Sequence, residues 1–275
     1  MLNTLREMFT YRFLVNAVVV GALISLCAAL LGVSLVLKRY SMIGDGLSHV
    51  GFCALAVAIV LKLPPLAVSV PVIVAAAFFL LRISESSKIR GDAAIALIST
   101  GSAAVGVTVI SVTVGLGTDV CNYLFGSILS LSERDVTYSS VLAAAVLIMF
   151  ALFYNKIFAV AFDEGFARAT GTRAGAYNML IAFLTAVTIA LGMRMMGALL
   201  ISSLIIFPAL TAMRIFRTFL SVTVCAGAVS VICFLLGVVC SCLYNLPTGA
   251  AVVLVNAAVF LLFSAAGLIN GRRAK

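Results

Sequence analysis

A chain of 275 residues that is 64% hydrophobic and only 10% charged, with a mean hydropathy of +1.27, is too apolar for water to be its main solvent, which excludes a soluble globular domain. The net charge of +9 would suit nucleic acid, but the basic residues are scattered through short polar breaks and form no patch interleaved with aromatics, so that class is excluded too. Seven cysteines (Cys27, Cys53, Cys121, Cys225, Cys233, Cys240 and Cys242) lie mostly inside apolar runs without a CxxC pair, and read as small buried hydrophobes.

The apolar runs are about 18 to 25 residues long, the length a helix rising ~1.5 Å per residue needs to cross roughly 30 Å of hydrocarbon. Residues 143–153 are apolar on every side, whereas the strands of a membrane barrel alternate apolar with polar. The expected fold is therefore an all-α polytopic membrane protein. In chain order the runs predict about nine transmembrane helices, at 13–37, 42–62, 65–82, 93–116, 137–158, 177–193, 197–213, 218–243 and 248–269, and eight or ten also fit. The first run is too long for a signal-peptide core and reads as a span. Residues 123–131 are apolar but too short to span, and predict a partial or re-entrant helix. No linker or soluble segment interrupts the pattern, so residues 1–275 read as a single transmembrane domain. With the C-terminus inside, Lys38, Arg39, Arg82, Lys88, Arg90, Lys156, Arg168, Arg173, Arg214, Arg217, Arg272, Arg273 and Lys275 fall on the cytoplasmic face. Arg6, Arg12, Lys62, Arg134 and Arg194 fall on the other, an asymmetry that favours this orientation.

The most informative stretch is Gly44-Asp45-Gly46-Leu47-Ser48-His49-Val50-Gly51, which opens the second run and contains the protein's only histidine. Residues i and i+4 share a helix face with Cβ atoms about 5 to 6 Å apart, so Asp45 and His49 could reach one metal ion. Two ligands are too few for a tight site; two copies of the chain would supply two carboxylates and two imidazoles, with charge to neutralise a divalent cation. Gly44, Ser48 and Gly51 keep the neighbouring face small enough for another helix to approach. The bland alternative makes Asp45 a helix N-cap and His49 a polar residue satisfied within the bundle. Ionisable residues at membrane depth cost roughly 2.5 to 3.5 kcal/mol on insertion scales and commonly mark a pathway.

The second stretch is the predicted cytoplasmic loop Phe162-Asp163-Glu164-Gly165-Phe166-Ala167-Arg168-Ala169-Thr170-Gly171. Phe162, Phe166 and Ala169 recur at helical spacing before Gly171, which predicts a short amphipathic helix that either docks on another protein or lies on the bilayer. The third, residues 197–212, holds small residues suited to close packing, with Pro208 expected to kink or end its helix. Leu246-Pro247-Thr248-Gly249 reads as a turn followed by a helix start. Nothing in the sequence resembles a Gly-rich phosphate loop or an HExxH metalloprotease motif, so this is read as no enzyme.

Together these segments resemble the permease subunits of bacterial ATP-binding cassette importers for zinc, manganese and iron, the ABC-3 family. The resemblance rests on the Gly-Asp-x-Leu-Ser-His motif at 44–49, the Phe-Asp segment at 162–171, the Gly-Ala-Leu-Leu-x-Ser-x-Leu-Ile-x-x-Pro-Ala run at 197–209 and Pro-Thr-Gly at 247–249; Gly46 stands where alanine is common. It implies a multi-pass permease of the bacterial plasma membrane, paired with a second protomer in a homodimer or sometimes a related heterodimer, with two ATPase subunits and an extracytoplasmic metal-binding protein. It further implies that Asp45 and His49 are the intramembrane ligands of the transported ion, that 162–171 couples to the ATPase, and that ATP is used by that partner, with no permanently bound cofactor. Alternating access would move the ion, zinc being slightly favoured over manganese or iron. A self-contained secondary metal transporter or channel is the competing reading.

Overall fold

The computed structural model describes residues 12–86, 91–113 and 133–273. Among these residues the chain forms eleven helices and no strand. They are α1 (Arg12–Leu37), α2 (Ser41–Val60), α3 (Pro65–Ser86), α4 (Gly91–Thr113), α5 (Glu133–Leu152), α6 (Tyr154–Phe162), α7 (Glu164–Ala169), α8 (Ala174–Met196), α9 (Ala198–Met213), α10 (Phe219–Tyr244) and α11 (Thr248–Arg273). An all-helical result is what lipid requires, because each helix satisfies its own backbone N–H and C=O groups where no water can. The predicted partial helix at 123–131 lies outside the described residues.

The expected count of about nine spans is not supported. Among the described residues six helices are long and apolar enough to cross a membrane: α1, α2, α4, α8, α10 and α11. A seventh span exists only if α5 and α6 are taken together, and they bend by 69° at Phe153. The bend has a packing cause. Phe153 sits 5.9 Å from the ring of Tyr177, while Tyr154 and Phe158 lie 5.3 and 4.8 Å from Phe219, so aromatic contacts hold α6 away from the axis of α5. The other two expected spans are helical but short. The apolar parts of α3 (Ala67–Ile83) and α9 (Ala198–Met213) stay below the length of a full crossing. Pro208 lies inside α9, which continues through it to Met213.

The bundle is organised around α1 and α8. In α8 78% of the apolar window is buried, against 22% in α4 and α11, which lie at the periphery. Among lipid tails there is little hydrophobic gain in joining helices, so close approach of small residues has to supply the packing energy. At Gly32 of α1 a Cβ would fall 2.0 Å from the carbonyl oxygen of Ile205 on α9, so the two backbones touch. At Gly237 of α10 it would meet the Val252 Cα of α11 at 2.5 Å. Polar bonds add to this: Ser230 Oγ donates to the Ser25 carbonyl at 2.9 Å, and Cys27 Sγ to that of Ala143 at 3.4 Å. The turn predicted at 246–249 is present. Asn245 ends α10 in the left-handed conformation, Ser241 Oγ donates to the Leu246 carbonyl at 2.7 Å, and α11 starts at Thr248.

Candidate functional site

Asp45 and His49 both lie within α2. That helix starts at Ser41, after Arg39 turns the chain with φ of 60°. Asp45 is consequently in the second turn, past the four free N–H groups, and the N-cap alternative for it does not hold. The i,i+4 offset brings His49 Nε2 to 3.7 Å from Asp45 Oδ1, too far for a hydrogen bond. Both side chains are partly exposed, 28% for His49 and 36% for Asp45, on a helix whose other faces are largely buried. Two donors 3.7 Å apart, each about 2.1 Å from one ion, would subtend roughly 120° at it, an opening that a four-coordinate site can use. Among the described residues His49 Nδ1 is buried without a hydrogen-bond partner, which leaves this ring nitrogen unsatisfied.

Ser99 of α4 completes the inner surroundings. Its Oγ donates to Asp45 Oδ2 at 3.4 Å, a long hydrogen bond from the neighbouring helix to the carboxylate. Among the described residues no group of three or more His, Cys, Asp or Glu side chains comes together. One chain thus offers an ion a carboxylate, an imidazole and a nearby hydroxyl.

The small residues flanking the pair pack within the same chain. A Cβ on Gly44 would meet Ile205 of α9 at 3.1 Å; on Gly51 it would meet Ile73 of α3 and Met193 of α8 at 2.7 Å. Ser48 is buried and donates to the Asp45 carbonyl at 2.7 Å. Three neighbouring helices therefore hold the rotation of α2 and so fix which way Asp45 and His49 face.

At residues 162–171 the expected helix is shorter than its pattern and starts later. Phe162 ends α6, and Asp163 is extended (φ −147°, ψ 99°). Asp163 then caps α7 by accepting from the Phe166 N–H at 2.9 Å. At the other end Gly171 (φ 82°) lets its N–H reach the Arg168 carbonyl at 3.0 Å, while the Thr172 N–H reaches that of Ala167 at 2.9 Å, a Schellman closure. Ala167 is buried against Val160 and Ala174, whereas Phe162 and Phe166 are 75% and 66% exposed. The capped turn and the helix end before it thus display two largely exposed aromatic rings, Phe162 keeping a contact with the Phe158 ring at 5.8 Å. Arg168, Ala169 and Thr170 are exposed beside them.

Glu164, the first residue of α7, is tied into the bundle. Arg168 donates to its Oε1 at 2.6 Å, and Lys38 Nζ and Asn178 Nδ2 donate to its Oε2 at 3.0 and 3.1 Å. Burial alone would raise its pKa, but the hydrogen bonds from Asn178 and Lys38, the charge of Lys38 and the bond from Arg168 together hold it below the ordinary 4.5. Ser99, Lys38 and Asn178 were not singled out from the sequence as site residues. The available signal was a lone polar residue in or at the edge of an apolar run, which for Lys38 was read as topology.

These two features lie within a region that matches a family model, the ABC 3 transport family, over residues 10–267. The chain belongs to the ABC 3 transport family. It is 29% identical over 252 residues to the high-affinity zinc uptake system membrane protein ZnuB of Haemophilus influenzae, covering 92% of this chain and 97% of that protein. It is 32% identical over 263 residues to a probable metal transport system membrane protein of Treponema pallidum, covering 93% and 96%. Its fold superimposes with a TM-score of 0.84 on a solved chain of PsaBC from Streptococcus pneumoniae in complex with Fab, at 26% identity over 95% of this chain and 94% of that one. As a member of this family of permeases it is a multi-pass protein of the plasma membrane.

Proposed function

We propose that this chain is the membrane-spanning permease subunit of an ATP-driven importer that carries divalent metal ions into the cytoplasm, acting as one permease domain in a homodimer. The observation that carries the reading is the Asp45–His49 pair: two donors 3.7 Å apart, partly open, on a helix long and apolar enough to span the membrane. A pair from each protomer would surround one ion with two carboxylates and two imidazoles. The net charge of that set would be near zero with a divalent cation, which lowers the cost of holding it among lipid-facing helices. Zinc is slightly favoured and manganese or iron fits the same mixed donors, in keeping with relatives named for zinc and for manganese transport.

The rings of Phe162 and Phe166 support docking of residues 162–171 on an ATPase subunit at the cytoplasmic face, with ATP hydrolysed in that partner. An extracytoplasmic binding protein would deliver the ion to an outward cavity, and ATPase closure acting through α7 would change which side is open.

The test is uptake of radioactive zinc and manganese in cells co-expressing the cognate ATPase and binding protein, comparing wild type with Asp45→Ala and His49→Ala at matched membrane abundance. Loss of uptake with the ATPase still bound is expected; undiminished uptake would remove the pair from the pathway. Purified chain in liposomes should move no metal without the ATPase, and flux under those conditions would favour a secondary transporter.

A further inference from the structure

Lys38 is a largely buried cation at the C-terminal end of α1. Its side chain is 8% exposed, it follows directly on the end of α1, and α2 begins three residues later. Its ammonium donates to Glu164 Oε2 at 3.0 Å and also to Asn178 Oδ1, while Asn178 Nδ2 closes the triangle onto Glu164 at 3.1 Å. The ring of Tyr40 lies 5.9 Å from the same ammonium. The three side chains come from the α1–α2 junction, the first residue of α7 and the second turn of α8. Beneath them a cleft lined by Leu35, Tyr40, Ile43, Leu81 and Asn178, among others, has only about 10 Å³ of free space. Ile43 is itself in the first turn of α2, two residues before Asp45. Lys38 and Asn178, which hold Glu164, thus share this cleft with Ile43 at the start of the helix that carries Asp45 and His49.

We propose that the Lys38–Glu164–Asn178 triangle is the mechanical link that passes movement of the α7 turn to α2, making Lys38 and Glu164 positioning residues for coupling. The proposal rests on the importer reading above. The physical case is that a buried ammonium has to keep its carboxylate: parting them leaves an uncompensated charge, so Lys38 follows Glu164 when α7 moves. Lys38 in turn is fused through Arg39 and Tyr40 to α2, and the Tyr40 carbonyl accepts from the Ile43 N–H at 3.0 Å. Apolar contact would transmit a push but little resist separation, whereas the charged pair also resists being pulled apart. Neither residue touches the Asp45–His49 donors, and neither belongs to the exposed aromatic surface.

The experiment uses the complete complex of permease, cognate ATPase and binding protein in proteoliposomes. Radioactive zinc uptake and ATP hydrolysis are measured on the same vesicles, with zinc binding and ATPase retention measured on the purified complex. For Glu164→Gln and Lys38→Met, zinc moved per ATP hydrolysed should fall about tenfold or more; in Lys38→Met, which lies outside the docking segment, zinc affinity and ATPase retention should stay within about twofold of wild type. Lys38→Arg, which keeps the cation, should hold the ratio within about threefold of wild type. Glu164→Asp keeps the charge but retracts it by one methylene, and should give an intermediate ratio in a protein whose fold is least disturbed. A wild-type ratio in Glu164→Gln or Lys38→Met overturns the proposal, as does loss of ATPase retention in Lys38→Met in step with the loss of transport, which would make the triangle part of the docking surface. If wild type itself shows no ATP-dependent zinc or manganese uptake, the importer reading fails and takes this inference with it.

Discussion

Replacing Gly32 by alanine tests the tightest crossing of the bundle. The added Cβ would lie 2.0 Å from the Ile205 carbonyl oxygen, and the obstacle is backbone, which cannot rotate aside. Reaching even a strained separation of about 3.0 Å requires α1 and α9 to part by roughly 1 Å, a displacement that forfeits a substantial part of the dispersion energy along the seam. Overpacking of this kind costs about 1 to 3 kcal/mol, and a rigid backbone contact belongs at the upper end. Alanine recovers up to about 1 kcal/mol in helix propensity, leaving a net loss of about 2 kcal/mol. For a chain of this size that corresponds to a fall in Tm of about 4 to 8 °C. The internal control is Gly101→Ala on α4, where a Cβ meets nothing within 4 Å, so that only the propensity gain remains. Thermal unfolding in detergent can be followed with a thiol-reactive fluorogenic dye, because Cys27 and Cys233 are free and 1% exposed in the fold. The consequences should reach the site, since the Ile205 side chain also packs at 3.1 Å from a Cβ position on Gly44, next to Asp45. Gly32→Ala melting at or above the temperature of Gly101→Ala would refute the reasoning.

Ser99→Ala removes the hydroxyl that reaches Asp45 from α4; at 3.4 Å it is a long bond, so zinc affinity by calorimetry should fall about tenfold, the lower end for a group that hydrogen-bonds a ligating side chain, and an unchanged affinity would show that Ser99 does not orient the carboxylate. Phe166→Ser should weaken binding of the purified ATPase by about ten- to a hundredfold, because a phenylalanine that becomes buried on docking contributes roughly 1.5 to 3 kcal/mol; equal affinities would move the docking surface elsewhere. Glu164 has a pKa held below 4.5, and a depressed carboxylate pKa contributes stability that is complete above the unfolded value and lost as pH falls through the folded one. The Tm gap between wild type and Glu164→Gln should therefore be constant from about pH 8 down to pH 5 and shrink in stronger acid; a gap that shrinks between pH 7 and 5 would contradict the sign.

How far sequence reading carried depends on whether the cause was local. The helix elements were legible because apolar runs and their breaks are local, and the i,i+4 relation of Asp45 and His49 follows once α2 is known to be a helix. Crossing was harder to read. The run at 137–158 is apolar throughout, and only Tyr177 and Phe219, distant in sequence, explain why it bends at Phe153. The same holds for α7: Phe162, Phe166 and Ala169 keep helical spacing, yet Asp163 uses its side chain as a cap and cuts Phe162 off from the helix. Lys38 shows the limit most clearly. A lysine at the end of an apolar run is ordinarily a topology signal, because at a membrane boundary a cation prefers water and anionic headgroups. What turns this one inward is a carboxylate 126 positions away and an amide 140 positions away, neither of which any local window contains. A charge retained at 8% exposure beside a membrane is expensive unless a partner is fixed opposite it, so the buried lysine and the short capped turn that presents Glu164 have to be read as one device.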